Sequence, residues 1–277
     1  MKLRYDPYGI FYRDSSPFGL YARKKWLHED RTPAFKLDFN RTVSEIYAAQ
    51  KEDGSWNHSA VDTARELFFL HLTVREKTAQ IHRALEWLMR LHAEVAGEKT
   101  DMNGEKNMNA HFPTMGHTLP FLPCRKWCFL NAAILFLATV FQIEEKSEYR
   151  KLYEEWQSEI TRSRKTLTPA ERNNILRAYV VNPKQEQQPL IGKIISSLQK
   201  QQTERGDWGE EYDFFQLFNA LAHSSSRDAD LQVQKALPLV FASQKADGTW
   251  GSRPVQNPVL ATFLTVHALK NKGLLKF

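Results

Sequence analysis

Three carboxylates, Glu210, Glu211 and Asp213, stand together just after Trp208. Paired carboxylates can act as general acid and base in glycan hydrolysis, and a group of them can hold a metal–diphosphate. If the chain closes into a ring of helices, they are expected at the mouth of its central cavity together with His58, Asp62 and Arg253. The competing reading is that they open a helix and complement its dipole. A second group, His111, His117, Cys124 and Cys128, falls within 18 residues. Imidazole and thiolate can bind zinc, but this spacing matches no standard finger. They are read as ordinary loop residues, with a structural zinc as the alternative, so no metal or cofactor is assigned. His71 and His267 lie among apolar residues and are read as core histidines rather than ligands.

Positioning such groups requires a scaffold, and 277 residues suffice for one large domain with a sizeable core. Hydrophobic residues make up 42% and charged residues 25%, as in ordinary globular chains. No apolar run is long enough to span a membrane. The start, Met1 to Asp6, has no apolar segment after its charge, so a cytoplasmic protein is expected. The net charge of +6 is spread along the chain. That argues against nucleic acid as a partner and leaves a peripheral contact with an anionic membrane open. Aromatics reach 12%, enough for a large helical core or for a cavity lined with rings.

The pattern Gln-x-x-x-Gly-x-Trp occurs three times, at Gln50/Gly54/Trp56, Gln202/Gly206/Trp208 and Gln244/Gly248/Trp250. The last two copies are 42 residues apart, a period typical of stacked helix pairs. An apolar residue lies one turn before each Gln: Ile46, Leu198 and Val240. The Gly ends a helix where a left-handed conformation has no steric cost. The Trp can fold back over that end, while the Gln amide satisfies loose backbone groups. These residues act as a structural staple and do no chemistry themselves.

After each Trp an apolar helix begins, over 59–74, 211–223 and from Asn257-Pro258 onward. Segments 76–96, 147–163 and 186–202 read as amphipathic outer helices, 126–142 as inner, and Thr168-Pro169-Ala170-Glu171 as a capping box. About eleven helices are expected. They alternate inner and outer, giving an all-α chain closed as an α/α toroid of five to six pairs. Residues 1–33 read as an N-terminal arm and first helix, and 34–277 as the repeat body of a single domain. The arm's rings (Tyr5, Tyr8, Phe11, Tyr12, Phe18, Tyr21, Trp26) either pack across the barrel or contact a protein partner or membrane.

The three repeats resemble the QW motif of terpene cyclases of the squalene–hopene cyclase type, and the toroid is similar to that of protein prenyltransferase β-subunits. The resemblance implies an isoprenoid-handling protein whose polyprenyl or triterpene-type ligand sits in an aromatic-lined cavity. Phe68, Phe69, Trp127, Tyr212, Phe214 and Phe215 would line that cavity. The cyclase acid element, Asp-x-Asp-Asp followed by Thr-Ala, is similar here only at Asp62, Thr63 and Ala64, with Val61 at the proton-donor position. Asp228-Ala229-Asp230-Leu231 lacks the last Asp. Asp213 resembles the zinc-binding Asp of the prenyltransferase Asp-Phe-Tyr-His element, with Gln216 at the His position. Asp62, Asp213 and Glu211 are the catalytic candidates on this reading. The alternatives are a non-catalytic toroid binding lipid or a protein partner, and a glycan-active toroid enzyme.

Overall fold

The computed structural model describes residues 3–97, 112, 119–163, 166–251 and 257–275. These residues are all-helical, with a 3-10 turn at Gly9–Phe11 and twelve α-helices. In chain order the helices are α1 (Pro17–Lys25), α2 (Pro33–Ala48), α3 (Ala60–Thr73), α4 (Ala79–Gly97), α5 (Lys126–Val140) and α6 (Ser147–Arg162). They continue with α7 (Pro169–Val180), α8 (Pro183–Glu186), α9 (Pro189–Gln201), α10 (Phe214–Ala222), α11 (Arg227–Ala242) and α12 (Pro258–Asn271). Among the described residues none is long and apolar enough to cross a membrane.

The starts of these helices follow from local chemistry. Thr168 and Glu171 form the anticipated reciprocal cap: Thr168 Oγ1 accepts from Glu171 N at 3.2 Å, and Glu171 Oε2 accepts from Thr168 N at 3.0 Å. Asn257 accepts from Val259 N at 2.9 Å, with Pro258 preset for the first turn. Asp213 caps α10 by accepting from Gln216 N.

Six helices pack in a cycle, α1 on α3, then α5, α7, α10, α12 and back to α1. They are buried around most of their circumference, α7 with polar as well as apolar residues; twelve consecutive residues of α5, Cys128–Thr139, are buried. The outer helices bury a single stripe. In α9 it is Leu190, Ile191, Ile194, Ile195 and Leu198, as its spacing foretells.

The three repeats join this layer to its neighbours. Gln50 Nε2 donates to Gly54 O and to Gln80 O, both at 2.9 Å. Gln202 Nε2 donates to Gly206 O at 3.0 Å and to Gln232 O at 2.9 Å. In the third copy Gln244 Nε2 donates to Gly248 O at 3.1 Å and to Tyr5 O at 3.0 Å, while its Oε1 accepts from Arg4 N and Tyr5 N. The N-terminal arm thus occupies the place that an outer helix fills elsewhere. Its Phe11 and Trp26 pack with Phe263 of α12. Trp56 and Trp250 are buried and donate their indole N–H to Ile46 O and Val240 O, each at 2.8 Å. Trp208 differs and donates to the side chain of Gln232 at 3.1 Å.

Gly248 has a φ of +83°, and a Cβ there would stand 1.9 Å from Asp6 O. Gly209 has a φ of +84° with nothing within 4 Å of such a Cβ. Gly248→Ala combines backbone strain with collision against the arm, and is expected to cost about 2 kcal/mol or more. It should lower Tm by roughly 5 °C and speed tryptic cleavage at Arg13. Gly209→Ala carries strain alone and should cost about half as much. Equal losses for the two variants would show that the glycine does not seat the arm.

Candidate functional site

The cycle of inner helices encloses a cavity of about 200 Å³ to which all six contribute. Tyr21 comes from α1, Phe68 and His71 from α3, Phe136 and Val140 from α5, Arg177 from α7, Asn219 and Ala220 from α10, and Phe263 and His267 from α12. Arg75 and His223, just past the ends of α3 and α10, complete its polar lining. The mixture is unusual for a helical core: four rings, three imidazoles and two guanidiniums, with no carboxylate among the described residues that line it.

Arg177 is 5% exposed. Its Nη1 donates to Asn219 Oδ1 at 2.9 Å, and its Nη2 to Gln216 O at 2.9 Å and Gln216 Oε1 at 3.4 Å. Its Nε has no partner. Burial pushes the guanidinium pKa down to about 10, against the attraction of Asp213, so it remains charged at neutral pH. Exposed Arg75 stands at the rim, its guanidinium 5.4 Å from the centre of the Tyr21 ring.

The imidazoles are arranged by stacking and by backbone. Phe263, His267 and His223 lie nearly parallel, with successive centroids 5.8 and 4.9 Å apart. His223 Nδ1 lies 2.7 Å from Asn219 O, a contact that requires the proton on Nδ1. His267 Nε2 lies 3.2 Å from the Tyr21 hydroxyl, and His71 Nδ1 is buried without a partner. Burial, reinforced by Arg75, takes His71 down to about 3. Burial takes His223 down to about 4, with Arg177 and Lys272 adding to the shift. His267 is driven well below the usual value by burial, by His223 and by Arg177. All three rings are therefore neutral near pH 7.

This site was missed in the sequence, where His71 and His267 read as core and His223, Arg75 and Arg177 went unmarked. The available signal was polar: basic or imidazole groups recur near the ends of otherwise apolar helices. Of the six aromatic candidates only Phe68 lines the cavity. Phe69 packs edge-on to Phe18, Trp127 lies under the Arg125 guanidinium, and Phe214 packs on Trp208, Phe215 and Phe218. Tyr212 and Glu211 belong to a separate hollow with Thr168, Arg172, Gln201 and Trp208. There the Tyr212 hydroxyl donates to Gln201 Oε1 at 2.7 Å and accepts from Arg172 Nη1 at 2.9 Å, which pulls the segment away from the central cavity.

Asp62 pairs with Arg65 at 2.6 Å and accepts from Asn57 Nδ2 at 3.2 Å. Asp213 serves as a cap and as a distant countercharge to Arg177. His58 pairs with Asp53 at 2.9 Å. His111, His117 and Arg253 lie outside the described residues. Cys128 is buried and Cys124 half-buried. A hydrogen bond with Cys124, then burial, raises the Cys128 thiol well above its usual pKa. Among the described residues no three His, Cys, Asp or Glu side chains converge as metal ligands.

No family model matches the sequence, and no curated protein is detectably similar. The fold is similar to a protein from Actinoplanes known from its crystal structure. That match has a TM-score of 0.57 and 14% identity, and covers 95% of this chain and 90% of the other. At that identity the likeness concerns fold alone.

The neutral imidazoles make stability depend on pH. In the unfolded chain they titrate near about 6.5, whereas His71 and His223 fall to about 3 and about 4 when folded. Between those values the unfolded state binds more protons, so stability is lost as pH falls from about 6.5 toward 4. Urea midpoints should decline steadily from pH 7 to 5, and less steeply in His223→Gln. A midpoint unchanged over that range would mean that the rings are solvated.

Proposed function

We propose that the chain is an α/α toroid of the terpenoid cyclase and prenyltransferase type that binds a small ligand with an apolar body in its central cavity and does not protonate it. The observation that carries this reading is the lining itself. Every inner helix contributes to one cavity faced with Tyr21, Phe68, Phe136 and Phe263, and no carboxylate is among the described lining residues.

Protonating an alkene needs a strong, positioned acid. The best sequence candidate, Asp62, is held in an ion pair with Arg65 and is not part of this lining. A carbocation beside Arg177 and Arg75 would be repelled rather than stabilised. Size points the same way. About 200 Å³ is below the roughly 300–1,000 Å³ of sites for drug-sized ligands. It has room for roughly seven waters at about 30 Å³ each, which favours a short isoprenoid or similarly small molecule over a triterpene. Of the three readings drawn from the sequence, the non-catalytic binding toroid therefore has the better support.

The test has two arms. Incubation with squalene, farnesyl diphosphate and geranylgeranyl diphosphate, followed by mass spectrometry, should return no product; turnover of any of them would restore the cyclase or transferase reading. Calorimetric titration with a small neutral probe, cinnamyl alcohol, should show saturable binding to the wild type. Ala220→Phe, which fills the cavity, should weaken it at least about tenfold. Equal affinity in the two proteins would place the ligand elsewhere.

A further inference from the structure

The cavity holds one positive charge at depth; no carboxylate is among the described residues that line it, and Asp213, which attracts that charge, caps a helix outside the lining. Arg177 meets only neutral acceptors, the Asn219 amide oxygen and the backbone and side-chain oxygens of Gln216. One of its N–H groups, Nε, is buried with no partner at all. A guanidinium so placed ordinarily faces a carboxylate or phosphate. Around it the lining offers flat apolar faces, among them Phe68, Phe136 and the stack of Phe263 with His267 and His223.

On the reading that the central cavity is the ligand site, we propose that it takes a small organic monoanion, a carboxylate on a flat unsaturated body, with the carboxylate paired to Arg177. The charge balance decides the class. The three imidazoles are neutral, and Arg75 is exposed at the rim, where water already solvates it. A single fixed cation at depth matches a single negative charge; a phosphate or diphosphate would bring excess charge into a space too small to keep its hydration. Volume limits the body to about ten non-hydrogen atoms. His71, with its unpartnered Nδ1, can donate to the carboxylate when that nitrogen carries the proton, without adding charge.

Calorimetric titration of the full chain at pH 7.5 with trans-cinnamate, cinnamyl alcohol and cinnamyl phosphate tests this. Cinnamate should bind at least about tenfold more tightly than the alcohol, the ratio expected of a charge-assisted hydrogen bond. In Arg177→Gln, with folding checked by its melting transition, that preference should vanish while the affinity for the alcohol persists. The comparison of acid with alcohol on the wild type decides the matter even if the variant does not fold. Proton resonances of the His71, His223 and His267 rings should shift on saturation with cinnamate.

Equal binding of acid and alcohol would overturn the anion assignment and leave the cavity reading intact. Tighter binding of the phosphate would overturn the single-charge assignment. Cinnamate binding without imidazole shifts would place it outside the cavity, and the absence of binding by any of the three would sink the cavity reading together with the inference.

Discussion

A single amide group recurs at the points where this chain must change direction and still keep its layers in step. In each repeat the Gln Nε2 donates to two carbonyls, one in its own turn and one in the neighbouring outer element. A buried carbonyl without a partner costs about 1–3 kcal/mol, so the bridge satisfies the frayed turn and ties it to its neighbour at once. The glycine four residues on is the counterpart of that closeness. At Gly54, Gly206 and Gly248 a Cβ would stand 2.6, 2.3 and 1.9 Å from the neighbour's carbonyl oxygen. The first two bridges reach the next outer helix. The third reaches Tyr5, so the N-terminal arm takes the place of an outer helix, and the same geometry serves both a helix and a non-helical segment.

This explains which features were legible from residue types alone. The repeats, the capping box at Thr168 and the stripe of α9 are local patterns whose physical meaning does not depend on distant partners, and the helices begin and end close to where those patterns place them. The arm's role was legible as one of two options, because its rings could pack or project. The cavity was much less legible. Polar residues on apolar helices have two opposite meanings, a satisfied core group or a lining group, and helix spacing does not separate them. Arg177 and His267, from α7 and α12, and His223, just past α10, acquire a common meaning only when these helices converge. Glu211 and Tyr212 erred the other way. They sit at the right place along the chain for a cavity mouth, but the paired hydrogen bonds of Tyr212 with Gln201 and Arg172 turn them into a separate hollow.

The electrostatics of the cavity follow from burial and from two guanidiniums. The ends of helices at their carbonyl side attract cations, which suits Arg75 just beyond α3. Arg177 is different: it reaches across to acceptors at Gln216 and Asn219 rather than to the open carbonyls of its own helix. Desolvating a full charge costs several kcal/mol after relaxation, and neutral acceptors return only part of that. Asp213 attracts the charge as well, and at a pKa of about 10 the guanidinium is protonated at neutral pH. The imidazoles respond to burial first and to these charges second. Burial is the main reason that His71, His223 and His267 are neutral; like charge adds to it, from Arg75 at His71 and from Arg177 at His223 and His267. Among the described lining residues there is no carboxylic acid to donate a proton, and the fixed charge is positive. The inner helices thus enclose a lining that combines a buried cation with three neutral imidazoles, where a further positive charge is disfavoured.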